Sequence, residues 1–200
     1  MRLLMQSALS ALMLCAVIVT PAAAQEQRVN VRGVITGFDG KILTLKSKTG
    51  AELAVDLPET ATVATTKAFS MADVKPGMIL GVTTLKRTDG SIVAIDVRPI
   101  PPQAPLGLSP WDLAPDATMT NAVVEGSVAA TNGQELTLNY KTGTVKALVV
   151  PETAMSQAVP GTRDDLKSGE TVFVFARKIE GDKLVAARVQ VSKDGIKPTQ

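Results

Sequence analysis

Four carboxylates and four methionines are the side chains of this sequence whose types and spacing permit chemistry. Glu59 and Glu152 hold the same place in two Pro-Glu-Thr-Ala segments (58–61 and 151–154), and Asp73 and Asp165 hold matching places in "ADVKPG" (72–77) and "DDLKSG" (164–169). Paired acids can coordinate a hard cation such as calcium or serve in acid–base catalysis. A calcium site needs several oxygens converging, whereas each of these acids stands alone in its own segment. Asp73 and Asp165 fit capping or turn roles, and Pro-Glu-Thr fits a strand-ending turn. Glu59 and Glu152 are therefore kept only as candidates for loop contacts. Met71, Met78, Met119 and Met155 raise a copper(I) reading, since thioethers are soft ligands. No Met-x-Met or Met-x-x-Met cluster is present, and filling of core gaps explains these side chains better.

The chemistry that is missing is as informative. The chain has no histidine, and its single cysteine, Cys15, lies in the N-terminal leader. This removes disulfides, thiolate nucleophiles, thiolate metal sites and the usual general base near neutral pH. A Ser-His-Asp or Cys-His enzyme is excluded. The expectation is a non-catalytic protein with no cofactor and no metal.

The leader "MRLLMQSALSALMLCAVIVTPAAAQ" has Arg2, an apolar run from Ala8 to Val19, Pro21 and then Ala22-Ala23-Ala24. That layout predicts a cleavable secretory signal over 1–24, cut after Ala24, and a periplasmic or secreted protein. The run is short of the roughly 20 residues that a membrane span requires, so no stable insertion is expected after cleavage. The remaining chain carries nearly balanced charge with no basic block, and its six aromatics (Phe38, Phe69, Trp111, Tyr140, Phe173, Phe175) are scattered. Neither feature suits a nucleic-acid partner.

The elements that position these residues occur twice. Pairing Gly33 with Gly126 and reading on without a gap to Ala61 and Ala154 gives 13 identities in 29 positions, among them Leu43-Thr44-Leu45 against Leu136-Thr137-Leu138 and Lys48-Thr49-Gly50 against Lys141-Thr142-Gly143. Each copy spans about seventy residues, which marks an internal repeat. Within a copy, apolar alternation at Val29, Val31 and Ile35 predicts a first strand. Asp39-Gly40, matched by Asn132-Gly133, predicts a tight hairpin turn with positive φ at both central residues. "KILTLKS" and "AELAVDLP" follow as strands two and three. "SMADVKPG" supplies one helical turn capped by Ser70, and "MILGVTTLK" and "SIVAIDVRP" supply strands four and five.

This order predicts an all-β chain of two tandem five-stranded OB-like barrels, each with one short helical turn between strands 3 and 4. An SH3-like barrel or an open two-sheet sandwich has the same strand count. The expected divisions are 25–98 for the first repeat, 99–121 for a Pro-rich linker, 122–193 for the second repeat and 194–200 for a C-terminal tail. The text V-x-G-x-[IV], a Gly turn, L-T-L, D-[VL]-K-x-G and [IL]-V-A-x-x-V resembles the small β-barrel repeats of secreted bacterial proteins classed as domains of unknown function. That resemblance implies an exported, OB-like repeat protein and brings no catalytic residues.

The linker "PIPPQAPLGLSPWDLAPDATMTN" (99–121) carries six prolines and the only tryptophan. Proline content predicts an extended connector with little regular structure, and its apolar residues predict packing of Trp111 and its neighbours against one or both barrels. Strand parity gives one more expectation. If Leu80 and Val82 point into the first barrel, Val172 and Val174 point into the second, and Phe173 and Phe175 face outward and need covering by the linker, the first barrel or a partner. Trp111, Leu113, Phe173 and Phe175 are the candidate interaction surface. The function these features favour is a binding or adaptor protein of the periplasm whose partner is a protein or envelope component. The alternative is a small-ligand or metal-ion binding protein associated with envelope transport.

Overall fold

The computed structural model describes residues 27–131 and 133–199. The expected leader, its cleavage point and Asn132 lie outside the described residues. No helix among the described residues is long and apolar enough to cross a membrane.

The chain is all-β. Its strands are β1 (Gln27–Phe38), β2 (Ile42–Ser47), β3 (Glu52–Asp56), β4 (Thr62–Ala68), β5 (Ile79–Lys86), β6 (Ile92–Pro99), β7 (Gly107–Pro110), β8 (Thr118–Ala130), β9 (Gly133–Tyr140), β10 (Gly143–Pro160), β11 (Thr171–Lys178) and β12 (Leu184–Val191). Alternation along them buries Leu43 and Leu45 in β2 and Leu136 and Leu138 in β9, each with no exposed surface. Polar neighbours on the opposite face stay in water, as the period of two requires.

Pairing closes the strands into five-membered rings. In the first ring β1 pairs β2, β2 pairs β3, β3 runs parallel to β12, and β12 pairs β11, which returns to β1. This is a closed five-stranded barrel filled by Ile35, Leu43, Leu45, Val55, Val172, Val174 and Val189. In the second ring β8 pairs β9, β9 pairs β10, β10 runs parallel to β6, and β6 pairs β5, which returns to β8. Leu80, Val82, Val97, Val124, Leu136 and Leu138 fill it.

The expectation of one barrel per copy is therefore corrected. Each ring takes three strands from one copy and two from the other. The cause lies in the segments that leave the third strand of each copy, "LPETATVATTKA" (57–68) and "VPETAMSQAVP" (150–160), which contain no Gly, Asn or Asp. Without a residue that readily takes positive φ, the chain bends at the Pro-Glu-Thr-Ala segments but does not reverse into a hairpin. It continues as extended β4, or as the second half of β10, and delivers the next two strands to the other ring. These two crossing segments pair with each other from Ala64↔Pro160 to Ala68↔Ser156.

The two Pro-Glu-Thr-Ala segments sit at equivalent breaks in the parallel pairing. In the first copy, pairing skips from Val185↔Asp56 to Arg188↔Thr62 around a turn at 58–61. In the second it skips from Val149↔Ala94 to Ala154↔Asp96 around a bulge within β10. There the Thr153 hydroxyl donates to the Ala94 carbonyl at 2.7 Å and accepts from the Val150 N–H at 3.0 Å.

Two further readings are corrected. The ungapped match of Gly33 to Gly126 does not describe the first strands. Gly33 pairs with Val172 and Ala122 with Leu80, whereas the strand irregularities fall at Gly37 and Gly126. The true equivalents are Gly33 with Ala122 and Gly37 with Gly126, four residues off the notional match. Gly33 is needed because a Cβ there would lie 2.5 Å from the Lys46 carbonyl oxygen, while a Cβ at Gly126 meets nothing. At the hairpin, only Gly40 has positive φ, at 95°. Asp39 closes the turn with its side chain, accepting the N–H groups of Lys41 and Ile42 at 2.8 and 2.7 Å.

The helical turns stand before the fourth strand of each copy, at Met71–Asp73 and Arg163–Asp165. Asp73 accepts the N–H of Ser70 at 2.9 Å and Asp165 that of Thr162 at 2.8 Å, the capping role expected of both acids. The linker is more regular than its prolines suggest, because β7 pairs with β8 from Gly107↔Asn121 to Pro110↔Thr118.

Candidate functional site

The outer face of β11 differs from that of its counterpart β5. Val172 and Val174 lie in the first ring's core, and Phe173 and Phe175 point the other way. The equivalent residues of β5, Gly81 and Thr83, carry little or no side chain. Phe173 is only 1% exposed and Phe175 is half-buried. Their rings meet edge to face with centroids 4.6 Å apart, the arrangement that places a positive ring edge on a negative face.

Arginines complete the cover. In the pairing register Arg32 of β1 stands opposite Phe173, and Arg188 of β12 stands opposite Phe175. Their guanidinium carbons lie 4.8 and 4.2 Å from the ring centroids, within cation–π range. The linker then holds Arg32 in place. Asp112 accepts from Arg32 Nη2 at 2.8 Å and Nη1 at 3.1 Å, and from Asn30 Nδ2 at 3.2 Å. Partial burial pushes the Asp112 carboxyl up, but the hydrogen bonds and charge of Arg32 outweigh it and hold the group below the usual carboxylate range. Covering of the phenylalanines is thus intramolecular.

The second ring contributes a buried acid. Asp96 of β6 has no exposed surface; it accepts from Arg98, and from the Thr83 hydroxyl at 3.1 Å. Burial raises its pKa against the opposing charge of Arg98. Burial likewise lowers that of Arg98, with Asp96 opposing the shift. Arg98 also donates to the Met119 sulfur at 3.5 Å and lies 6.0 Å from the Trp111 ring. Trp111 and Leu113 are half-buried. Between the rings the structure therefore gathers Arg32, Arg98 and Arg188 with Asp96 and Asp112, an excess of one positive charge.

A groove of about 330 Å³ opens beside this layer, along β1, β2, β11 and the C-terminal tail. Gly33, the exposed Val34 and the buried Phe173 line it together with Arg32, Lys46, Lys48 and Lys197, and no acidic residue among the described residues does.

The remaining sequence candidates are dispersed. Glu59 is exposed beside a shallow hollow of about 420 Å³, and Glu152 is exposed on β10. Among the described residues no three of His, Cys, Asp and Glu gather as a metal site would require. Met71, Met78 and Met155 pack against the second core, and the Met78 sulfur accepts the Lys75 N–H at 3.2 Å. The residues that sequence reasoning missed are Arg32, Asp96, Arg98 and Arg188. On outward strand positions they read as an ordinary solvated face. The available signal was parity: Arg188 shares the outward face with Phe175, and Asp96 is its counterpart in the other copy. Comparison with family models, curated proteins and solved structures finds no match to this chain.

Proposed function

We propose that this chain is a non-catalytic binding or adaptor protein of the periplasm, built from two OB-like repeats that exchange strands, and that it holds an anionic protein or envelope component on the first ring. One observation carries the reading: among the described residues, four cations and no acid line a groove that also presents the exposed side chain of Val34. Such a groove attracts carboxylate or phosphate groups by charge and gives their apolar neighbours a surface to cover. Each ring runs in the order first, second, third, fifth, fourth strand, with a parallel pair between third and fifth, which supports the OB-like assignment. The test is affinity capture from periplasmic extract by the chain from Gln25 onward, beside a Lys46→Glu/Lys48→Glu variant. Retention of a defined component that is lost in the variant and weakened by salt supports the reading. Equal capture by both proteins overturns it.

A further inference from the structure

The second ring carries an extended segment on an edge that the first ring leaves without a described partner. In the second ring β7 lies along β8, with Gly107 opposite Asn121 and Ser109 opposite Met119. The same place on the first ring follows from the register. Val31 and Asn30 pair with Val174 and Phe175 as Thr120 and Met119 pair with Val82 and Thr83. Asn30 and Arg32 are thus the counterparts of Met119 and Asn121. Their strand pairs β11 on one side, but pairing with β2 on the other begins only at Gly33.

The main-chain direction agrees. Ile35 bonds toward β11 with both groups, its N–H to Glu170 O and its C=O from Gly169 N–H, each at 2.9 Å. Main-chain groups alternate along a strand, so those of Asn30 and Arg32 face away from β11. Val124 bonds toward β5 in the same manner, at 2.8 Å to Met78 O and from Gly77 N–H. Asn121 and Met119, three and five residues back and of opposite parity, therefore face β7.

We propose that the β1 edge from Val29 to Arg32 takes up an extended acidic segment of a partner protein as an added antiparallel strand, in the way the second ring takes up the chain's own β7. This goes beyond the groove reading and does not depend on it. A hollow of about 410 Å³ lies along the edge, between Arg28, Val29 and Asn30 on one side and Pro110, Trp111 and Asp112 on the other. Strand addition gives affinity through main-chain bonds and specificity through alternate side chains. The outward side chains here are Arg28, Asn30 and Arg32, all donors, and Asp112 already shows a carboxylate held by two of them. The incoming residue opposite Asn30 therefore carries an acid, which meets the exposed Arg28.

The probe is a synthetic peptide copying residues 105–112 with Ser109→Asp, and the readout is amide spectra and hydrogen exchange of the chain from Gln25 onward. Addition of the peptide slows exchange at the Asn30 and Arg32 amides by about tenfold or more, as bonding of open amides does. A Ser109→Lys peptide binds about tenfold more weakly, and Arg28→Glu reverses that preference. The Lys46→Glu/Lys48→Glu variant responds as the parent does, which separates this edge from the groove. Asn30 and Arg32 amides that are already slow in the free chain overturn the proposal, as does protection that rises with protein concentration alone, which would seat a second copy there. Peptide-induced changes confined to other strands overturn it as well.

Discussion

Thr66 and Ala158 face each other where β4 crosses the second half of β10, and they are the same position of the two copies, 92 residues apart. Adding 92 to Ala64 gives Ser156 and subtracting 92 from Pro160 gives Ala68, so the pairing maps onto itself. The crossing thus lies on a pseudo-twofold axis. Two protomers that exchange identical elements produce the same isologous arrangement, and here one chain supplies both halves through its linker.

The exchange makes the linker expendable for cohesion. Gln103 is exposed, in a turn between β6 and β7. A protease site inserted there and cut should leave two fragments that co-elute under native conditions and separate in denaturant. Fragments that separate without denaturant would show that the rings do not share strands.

Phe173 is the buried ring of the outward pair. Phe173→Ala should cost about 3–5 kcal/mol, the range for deleting a buried phenylalanine. Phe175→Ala, at a half-buried position, should cost about 1–2 kcal/mol. Urea midpoints at constant slope decide it, and equal losses would remove the distinction drawn between the two rings.

Asp96 and Arg98 should behave as a unit. Asp96→Ala leaves a buried guanidinium without its carboxylate and should cost about 3–5 kcal/mol, while Asp96→Val with Arg98→Leu should recover most of that loss. A double variant no more stable than the single one would mean that Arg98 is held by other groups.

Acid should loosen the linker before it unfolds the rings. The folded pKa of Asp112 is depressed, so its contribution is complete above the unfolded value of about 4 and disappears as pH falls through the lower folded value. Trp111, the sole tryptophan, is the neighbouring reporter. Its emission should shift to the red only as pH falls below the ordinary carboxylate range, through the depressed folded value of Asp112, and an Asp112→Asn variant should be shifted already at neutral pH. Emission that stays constant in the parent down to acid unfolding would show that this contact does not tether the linker.

Local order was legible where one rule acts alone. Alternation identified the five ring strands of each copy, though not β4 or β7, and parity put Val172 inward and Phe173 outward, because a pleated backbone leaves no other choice. The capping acids were legible for the same reason, since Asp73 and Asp165 act within three residues of the groups they bind. Strand exchange was not legible, because a copy has the same strand order whether its last two strands return to its own ring or enter the other. The four-residue shift of β1 was hidden by the glycine match between Gly33 and Gly126. The layer between the rings was missed because Arg32 and Arg188 are cations whose burial depends on Phe173 and Phe175 beneath them, a tertiary fact absent from any local pattern.

The parallel pairs also fix the order in which the molecule can be completed as it is made from its N-terminus. All five strands of the second ring exist once Val149 has been synthesised, since β5 and β6 precede β8 and β9. The first ring must wait for Val191, although Gln27 opens its first strand. Until then β1, β2 and β3 form a meander with open sides, the state in which unpaired strands are most exposed to wrong partners. The ring that begins first in the sequence is therefore the last to close, and its slowest step joins residues at opposite ends of the chain.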